Sequence, residues 1–428
     1  MRILHTSDWH LGRTLCGRRR GDEFEAFLSW LCGIIERERI DALLVAGDIF
    51  DTGMPGNRAR ELYYRFLRDV ASSSCRHTVI IAGNHDSPSF LDAPRELLEI
   101  LNVHIVSGTS EDLAAEVLVI DDSSGNPSLI VCAVPYLRDR DVRLSVAGED
   151  ASDRNSQLIQ GIVGHYDDVA SFAAARRDEI RDTSGKRIPV VIMGHLFTTG
   201  GRSSDVEREL YVGTLAQVPA DMFRRRVEAD YVALGHLHVP QTVGGSERMR
   251  YSGSPIPMSF GESSQKKFVY VVDFDETDNA VRPIEVPVFR RIESVKGSLA
   301  EIEEAISKLG SEGGEVWIEV IHSGGDTAAN LRAAVEDSVR TAMDINADKN
   351  SIIDVIRVRD ERIRNKILSR LRSGETLNEL DHSEIFRRFL DSAGIQGADR
   401  DALTRTYDEA VFALNSPDVS EEGMAEPT

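Results

Sequence analysis

Five short apolar segments in the first 240 residues of this chain each end in polar residues that can bind a ligand. The segments read ILHTSDWH, ALLVAGDIFD, VIIAGNHD, VVIMGH and VALGHLH. Helical patterns at about 22–38 and 57–72 lie between them, and the alternation of short strands with amphipathic helices continues to about residue 285. This pattern predicts a layered α/β domain. In open α/β sheets, ligands bind beyond the carboxyl ends of the strands.

The polar strand ends contain residues of only three types: aspartate, asparagine and histidine. Glycine precedes them directly in four of the five segments and allows a sharp turn with close approach of the backbone. In the D-x-H and H-x-H pairs, alternate residues of an extended segment would point to the same side. A single histidine of this kind is more often a buried structural residue, but five coincident strand ends favour a binding site. The residues are Asp8, His10, Asp48, Asp51, Asn84, His85, Asp86, His195, His236 and His238.

Oxygen and imidazole ligands without thiolates predict a catalytic metal centre. They suit Mn²⁺, Fe²⁺ or Zn²⁺ in a reactive site more than a structural zinc. The set is too large for one ion with an open position, so we expect two ions that share a bridging carboxylate. Two ions about 3.5–4 Å apart can stabilise the attacking and leaving oxygens of a displacement at phosphorus. Water then serves as the nucleophile, and no serine or cysteine is required.

The net charge of −21 argues against a protein that binds nucleic acid through a basic surface. Two metal ions would supply about four positive charges where a phosphate binds, which removes this objection. Small basic clusters are typical of solvated surface more often than of phosphate contacts. They comprise Arg13 with Arg18, Arg19 and Arg20, and Arg224 with Arg225 and Arg226.

Other features bear on location and cofactors. The four cysteines are scattered without a C-x-x-C pair, and the N-terminus lacks a signal-peptide pattern. Since no apolar run reaches membrane length, we expect a reduced, cytoplasmic protein without a membrane segment. The chain has no G-x-x-x-x-G-K-[ST] loop, so it does not bind ATP by that mechanism.

A chain of 428 residues suggests two or three domains. We expect a first domain at 1–285 and a small α+β domain at 290–358. The smaller domain is predicted to contain helices at 298–309 and 326–343 and strands at 315–322 and 352–358. A charged helical segment at 359–415, broken at Gly374, and a disordered acidic tail at 416–428 complete the prediction.

The motifs D-x-H, G-D-x-x-D, G-N-H-D, G-H and G-H-x-H, in this order, resemble the calcineurin-like metallophosphoesterase superfamily over residues 1 to about 260. This resemblance implies a β-sandwich flanked by helices. The strings MRILHTSDWHLG, VAGDIFDTG, AGNHDS, ELYVGTL, YVALGHLH and YSGSPIPMSF are similar to the SbcD family of bacterial nuclease subunits. In that family a capping domain and partner-binding helices follow the nuclease domain, so the resemblance spans nearly the whole chain.

The resemblance implies seven metal ligands in two sets that share one carboxylate. One ion would be held by Asp8, His10 and His238 and the other by Asn84, His195 and His236, with Asp48 bridging. His85 matches a histidine that protonates the leaving oxygen or steadies the transition state. At Asp51 the chain departs from archaeal relatives, which have histidine there. The aspartate either orients His85 or belongs to the turn before Thr52 and Gly53.

The family's activity is implied in the same way. It comprises ATP-dependent exonuclease action on double-stranded DNA ends and endonuclease action on single strands and hairpins, with Mn²⁺ favoured, in DNA repair, recombination and replication. The implied partners are an SbcC-type coiled-coil ATPase and a second copy of the chain. Two alternatives remain open at this point. One is a metallophosphoesterase for a phosphoprotein, cyclic nucleotide or nucleotide-lipid, and the other is a non-catalytic scaffold.

Overall fold

The computed structural model describes residues 1–143, 151–201, 217–224, 229–274, 279–324, 331–361, 386–387, 390, 397 and 400–407, and only the backbone of 151, 152, 224 and 279. The chain divides into two compact units. The first comprises Met1–Ser294 and Glu315–Trp317, and the second comprises Val295–Gly314 and Ile318–Thr428.

Two six-stranded sheets form the centre of the first unit. The strands are β1 (Arg2–Thr6), β2 (Thr14–Leu15), β3 (Arg18–Arg19), β4 (Ala42–Ala46), β5 (His77–Ile81), β6 (Val103–Val106), β7 (Val117–Asp121), β8 (Pro127–Ala133), β9 (Val190–His195), β10 (Tyr231–Gly235), β11 (Gln241–Val243), β12 (Ser246–Tyr251), β13 (Phe268–Phe274) and β14 (Asn279–Glu285). The first sheet has the order β14-β13-β1-β4-β5-β6 and the second β11-β12-β10-β9-β8-β7, while β2 and β3 form a separate hairpin.

Helices cover the outer faces of both sheets. They are α1 (Gly21–Glu38), α2 (Asn57–Ala71), α3 (Pro88–Asp92), α4 (Arg95–Glu99), α5 (Asp139–Val142) and α6 (Ala151–Ser184). The first sheet packs against α1 and α2, and the second packs against α6. The predicted α/β fold, a sandwich of two sheets flanked by helices, is confirmed. The bounds of α1 and α2 differ by one residue from those predicted.

The central strands are apolar along their whole length because both of their faces are buried. In β4, Ala42, Leu44 and Ala46 lie between the two sheets, whereas Leu43 and Val45 point toward the helices. This alternation follows from the two-residue period of a strand, and continuous apolar runs are typical of strands covered on both sides.

The parallel strands end level with one another. In the first sheet β1, β4, β5 and β6 are parallel, and Ala46 at the end of β4 pairs with Ile81 at the end of β5. In the second sheet β8, β9, β10 and β12 are parallel, and His195 pairs with Gly235. Residues that directly follow these strands therefore lie at the same edge of each sheet.

The three-stranded sheet in the order β15-β16-β17 accompanies two further helices. The elements are β15 (Arg291–Gly297), α7 (Leu299–Glu312), β16 (Glu315–His322), α8 (Leu331–Ile345) and β17 (Ile352–Asp360). Helix α7 begins with a capping box, in which Ser298 and Glu301 each accept the other's backbone N–H. The predicted strand at 315–322 has those bounds, and the strand predicted at 352–358 extends to Asp360.

Several predictions concern residues that the structure does not describe. They include most of the helical segment at 359–415, its break at Gly374, the tail at 416–428, the string ELYVGTL, and Arg225 with Arg226. The predicted domain boundaries likewise stay predictions. Among the described residues no helix combines the length and hydropathy that a membrane span needs.

The predicted basic cluster at residues 13–20 divides into different environments. Arg20 is buried and forms an ion pair with Glu23, and Arg13 forms one with Asp51. Arg18 and Arg19 are exposed on the hairpin. Arg20 therefore serves the fold and does not belong to a basic surface.

Candidate metal centre

The loops after β1 and β4 run side by side. The backbone N–H of Asp8 donates to the carbonyl of Gly47, and that of His10 donates to the carbonyl of Asp48, both at 3.0 Å. Asp8 and His10 adopt left-handed φ angles of 53° and 48°. The expectation of an extended D-x-H segment is therefore wrong. A turn stabilised by the neighbouring loop brings the two side chains together.

Two glycines permit the close approach of the strand ends. Gly47 has a φ of 86°, and a Cβ atom there would lie 2.3 Å from Nδ1 of His195. At Gly235 a Cβ would lie 1.8 Å from the carbonyl oxygen of Ala46. Since Ala46 and Gly235 belong to different sheets, these glycines bring the two sheets into contact at the edge that carries the polar residues.

The first ligand group consists of Asp8, His10 and His238. One potential ligand atom from each lies within 4.8 Å of the others. The Nε2 atoms of His10 and His238 are 3.1 Å apart. All three side chains are buried, with at most 4% of each residue exposed. Two imidazole nitrogens that face each other beside a carboxylate form a donor set that suits a divalent cation.

The second group is centred on the side-chain oxygen of Asn84. This oxygen lies 3.0 Å from Nε2 of His195 and 3.0 Å from Nδ1 of His236. Asp48 lies between the two groups, because its Oδ2 is 3.6 Å from Nε2 of His10 and 3.3 Å from Nε2 of His195. The structure thus brings together all seven residues predicted as ligands and places Asp48 where a bridging carboxylate would lie.

Burial shapes the charge of the metal-free centre. It raises the pKa of Asp8 to about 6 and lowers the pKa of His10 to about 4 and that of His236 to about 3. Burial also opposes the charged form of His195, but the Asp48 carboxylate outweighs it and raises the pKa of His195 to about 9. The neutral imidazoles of His10 and His236 beside buried carboxylates fit divalent metal ions, whose charge would offset that of the carboxylates and displace the proton of His195.

His85 is held by one contact of its backbone and one of its ring. Its backbone N–H donates to Oδ1 of Asp48 at 2.9 Å, and its Nδ1 donates to the backbone carbonyl of Asp51 at 2.8 Å. The Asp51 carboxylate instead accepts a bond from Arg13 at 2.8 Å and lies 3.4 Å from Nδ1 of His10. Asp51 thus contacts His85 through its carbonyl oxygen, while its side chain faces His10. The catalytic roles of His85 and Asp51 stay predictions.

Asp86 has a structural role that the sequence did not reveal. Its buried carboxylate accepts the backbone N–H groups of Gly83, Ile49 and Phe50 at 2.8, 3.1 and 3.0 Å. These bonds join the loop after β4 to the loop after β5. The polar strand-end pattern included Asp86 but indicated no such role.

A cavity of about 200 Å³ adjoins the second group. His195 and His236 contribute to its wall, together with Tyr136 and Phe197. The Tyr136 ring is nearly parallel to the His236 ring, with centroids 6.4 Å apart and an interplanar angle of 24°. Space for part of a substrate therefore exists directly beside the predicted ligands.

Comparisons with known proteins agree with this geometry. The calcineurin-like phosphoesterase family matches residues 1–240, and the type 5 capsule protein repressor C-terminal domain matches residues 288–393. The SbcD subunit of the SbcCD nuclease from Escherichia coli K12 is 33% identical over 417 residues, covering 97% of this chain and 98% of its own length. The SbcD subunits from Bacillus subtilis and Rhodobacter capsulatus are each 34% identical. They cover 84% and 72% of this chain and 80% and 76% of their own lengths.

These matches extend over both units, and the residues they cover include every member of the two ligand groups. The chain therefore belongs to the calcineurin-like phosphoesterase family and, within it, to the SbcD family of nuclease subunits.

Proposed function

We propose that this protein is the metal-dependent DNA nuclease subunit of an SbcCD-type complex. It hydrolyses phosphodiester bonds with two divalent metal ions, and the proposed metal is Mn²⁺. One observation carries the proposal. The six other predicted ligands lie around Asp48 in a chain that is alignable over 97% of its length with a protein named as a nuclease subunit.

The predicted ligands have the following proposed roles. Asp8, His10 and His238 would hold one ion, Asn84, His195 and His236 the other, and Asp48 both. When bound, the ions supply Lewis acidity and positive charge for the phosphate oxygens. The buried ligands exclude water from the sides of the centre, so that these charges act in a medium of low polarity.

His85 is the proposed proton donor. Nδ1 keeps its hydrogen in the bond to the Asp51 carbonyl, so Nε2 is the nitrogen that faces the substrate. In the imidazolium form Nε2 carries a second proton, and transfer of this proton to the leaving oxygen would leave the neutral ring with its hydrogen on Nδ1. The contact of its backbone N–H with Asp48 fixes the ring's position relative to the bridging carboxylate. This arrangement supports the role of His85 as a general acid.

The proposed substrates are double-stranded DNA ends, hairpins and single strands, and the proposed setting is DNA repair, recombination and replication. The proposed partner is an SbcC-type coiled-coil ATPase, in keeping with relatives named as one subunit of the SbcCD nuclease. The proposed place of the partner contact is the C-terminal helical segment, where the resemblance to the SbcD family implies partner-binding helices.

We further propose a homodimer in the cytoplasm. The exposed apolar side chains Leu97 and Ile100 in and after α4, 69% and 78% exposed, support a protein contact there. The four cysteines are scattered without a C-x-x-C pair, which supports a reducing compartment. Sedimentation at several concentrations would test the dimer, with Ile100→Asp as the variant expected to yield monomers.

A cleavage assay tests the central proposal. The protein, alone and with its ATPase, is incubated with blunt duplex, hairpin and single-stranded DNA, with Mn²⁺ or with EDTA. We expect Mn²⁺-dependent cleavage of single strands by the subunit alone and ATP-stimulated cleavage of duplex ends by the complex. A phosphatase of another class would hydrolyse small phosphate esters and leave all three DNAs intact. A scaffold would bind the ATPase and hydrolyse neither.

A truncation separates nuclease from partner binding. Removal of residues 360–428 should leave Mn²⁺-dependent cleavage of single strands and abolish co-purification with the ATPase, because the resemblance to the SbcD family implies partner-binding helices in this segment. A truncated protein that still binds the ATPase as strongly as the full chain would place the partner contact elsewhere.

A further inference from the structure

A buried ion pair lies behind the predicted metal ligand His238. Glu262 is the last residue of the short helix Phe260–Glu262, and Lys267 directly precedes β13. Nζ of Lys267 lies 2.6 Å from Oε2 of Glu262, and the two side chains are 4% and 1% exposed. Neither residue belongs to the two ligand groups.

The ion pair contacts His238 at two places. Nζ of Lys267 donates to the backbone carbonyl of His238 at 3.1 Å and to the hydroxyl of Ser254 at 3.1 Å. Oε1 of Glu262 lies 3.7 Å from Nδ1 of the His238 ring. The other ring nitrogen, Nε2, faces His10 in the first ligand group. The carboxylate therefore lies on the side of the imidazole opposite to the metal position.

Stability alone does not explain such a pair. Two charges that are removed from water lose their hydration, and an apolar pair of similar volume is often as stable or more stable. Glu262 also accepts the N–H of Met258 at 3.1 Å, which helps to hold its carboxylate in one orientation. A fixed carboxylate beside a metal-ligating imidazole has a known chemical effect: it orients the ring and makes it a stronger ligand.

Other imidazoles of the centre have an oxygen acceptor at the same place. Nδ1 of His195 donates to the carbonyl of Ala46 at 2.9 Å, and Nδ1 of His85 donates to the carbonyl of Asp51 at 2.8 Å. At His238 the corresponding oxygen belongs to a charged carboxylate, Oε1 of Glu262. It lies 3.7 Å from Nδ1, beyond hydrogen-bond distance, and acts on a polarised N–H through its negative charge.

We propose that Glu262 is a positioning residue for His238. Its carboxylate, held by Lys267, keeps Nε2 of His238 directed toward the metal position shared with Asp8 and His10. The inference rests on the proposed two-ion function and adds to it a residue pair outside the ligand set.

Metal titration of the metal-free, full-length protein tests this proposal without any cleavage assay. Free Mn²⁺ is followed by its electron paramagnetic resonance signal. The main variant is Glu262→Gln with Lys267→Met, which removes both charges so that no lone charge stays buried. We expect one of the two ions to bind about 10–100-fold more weakly and the other to keep its affinity.

Two further variants complete the design. Glu262→Asp keeps the charge and the ion pair but shortens the reach of the carboxylate. It should lower the affinity for the same ion to a smaller extent. If the double variant does not fold, this variant alone tests the positioning role. The control is Glu116→Gln, which removes the charge of another buried glutamate of the first unit, one that is paired with His165. It should bind both ions with the parent's affinities.

The outcomes are distinguishable. A parent protein that binds fewer than two Mn²⁺ ions contradicts the proposed function itself. If the parent binds two ions and both Glu262 variants bind them equally well, the positioning role is overturned and the pair serves only the fold. An equal loss in the control would assign the effect to general stability, which also overturns the proposal.

Discussion

The side-chain oxygen of Asn84 lies 3.0 Å from Nε2 of His195, although the two residues lie at the ends of strands in different sheets. Asn84 comes after β5 of the first sheet and His195 ends β9 of the second. The metal centre is therefore assembled across the sandwich, and it forms only when both sheets are packed.

Replacement of the bridging carboxylate should affect both ions. In Asp48→Asn the side chain keeps its size but loses the charge that lies between His10 and His195. Loss of a residue that only hydrogen-bonds to a metal ligand typically lowers metal affinity ~10–100-fold. We expect Asp48→Asn to lower the affinity for both Mn²⁺ ions by more than this and to reduce DNA cleavage to background. Calorimetry and cleavage of single-stranded DNA measure the two effects, and Asp122→Asn, which alters a partly exposed carboxylate, is the control. Near-normal cleavage by Asp48→Asn would contradict the two-ion assignment.

Loss of the proposed proton donor should separate catalysis from metal binding. We expect His85→Gln to bind two Mn²⁺ ions and to cleave DNA about 10²–10⁴-fold more slowly, the usual contribution of general acid–base catalysis. Single-turnover rates and metal stoichiometry are the measurements. If one ion is lost from the variant, His85 is itself a ligand.

Asp51→Asn should lower the rate of DNA cleavage less than His85→Gln does. The contact to Nδ1 of His85 comes from the backbone carbonyl, which the substitution leaves in place. Loss of the partly exposed ion pair with Arg13 should lower the free energy of unfolding by about 1 kcal/mol or less. Cleavage rates of the two variants, measured side by side, check the prediction. A rate as low as that of His85→Gln would show that the carboxylate orients the histidine.

Asp86→Asn should destabilise the protein. The carboxylate accepts three backbone N–H groups, and an amide in its place presents an NH₂ group to at least one of them. We expect a loss of about 1–3 kcal/mol in the free energy of unfolding, measured by urea denaturation. Asp112→Asn, which alters an exposed carboxylate that accepts the N–H of Ala114, is the control and should lie within about 0.5 kcal/mol of the parent.

Metal binding should release a proton from His195. In the metal-free protein, burial disfavours the charged imidazole, but Asp48 raises its pKa from 6.5 to about 9, so at pH 7.5 it is protonated. A raised pKa stabilises the metal-free fold fully below about pH 6.5 and loses that effect as the pH rises through about 9. Mn²⁺ affinity should therefore increase with pH up to about 9. Calorimetry in buffers of different ionisation enthalpy would count the protons, and a buffer-independent heat at pH 7.5 would refute the prediction.

The positions of the polar strand ends could be predicted from the sequence because they depend on a local pattern of residues. Apolar runs such as ALLVA are buried on both faces, and the residues that follow must lie at the sheet edge where parallel strands end. The choice of seven of these residues as ligands rests on the family resemblance, but their position at this edge was predictable. Their backbone conformation was not, since the left-handed φ angles of Asp8 and His10 depend on hydrogen bonds to the loop after β4.

The supporting residues were harder to predict because their roles depend on partners that are distant in sequence. Asp86 accepts bonds from residues 36 and 37 positions away. Glu262 and Lys267 lie in a stretch rich in serine and lysine that carries no ligand motif. The direction of the Asp51 carboxylate follows from the position of Arg13, which the sequence grouped with a basic surface instead.

The bonds that Asp86 makes have a consequence for how the protein acquires its metal. Backbone amides and a carboxylate of the chain itself connect the loops after β4 and β5, so these loops keep their shape without an ion. Ions can then leave and return while the chain stays folded, unlike in small zinc domains that unfold when the metal is removed. The metal occupying the centre would accordingly be set by exchange with the surrounding pool throughout the protein's lifetime, and not once at the moment of folding.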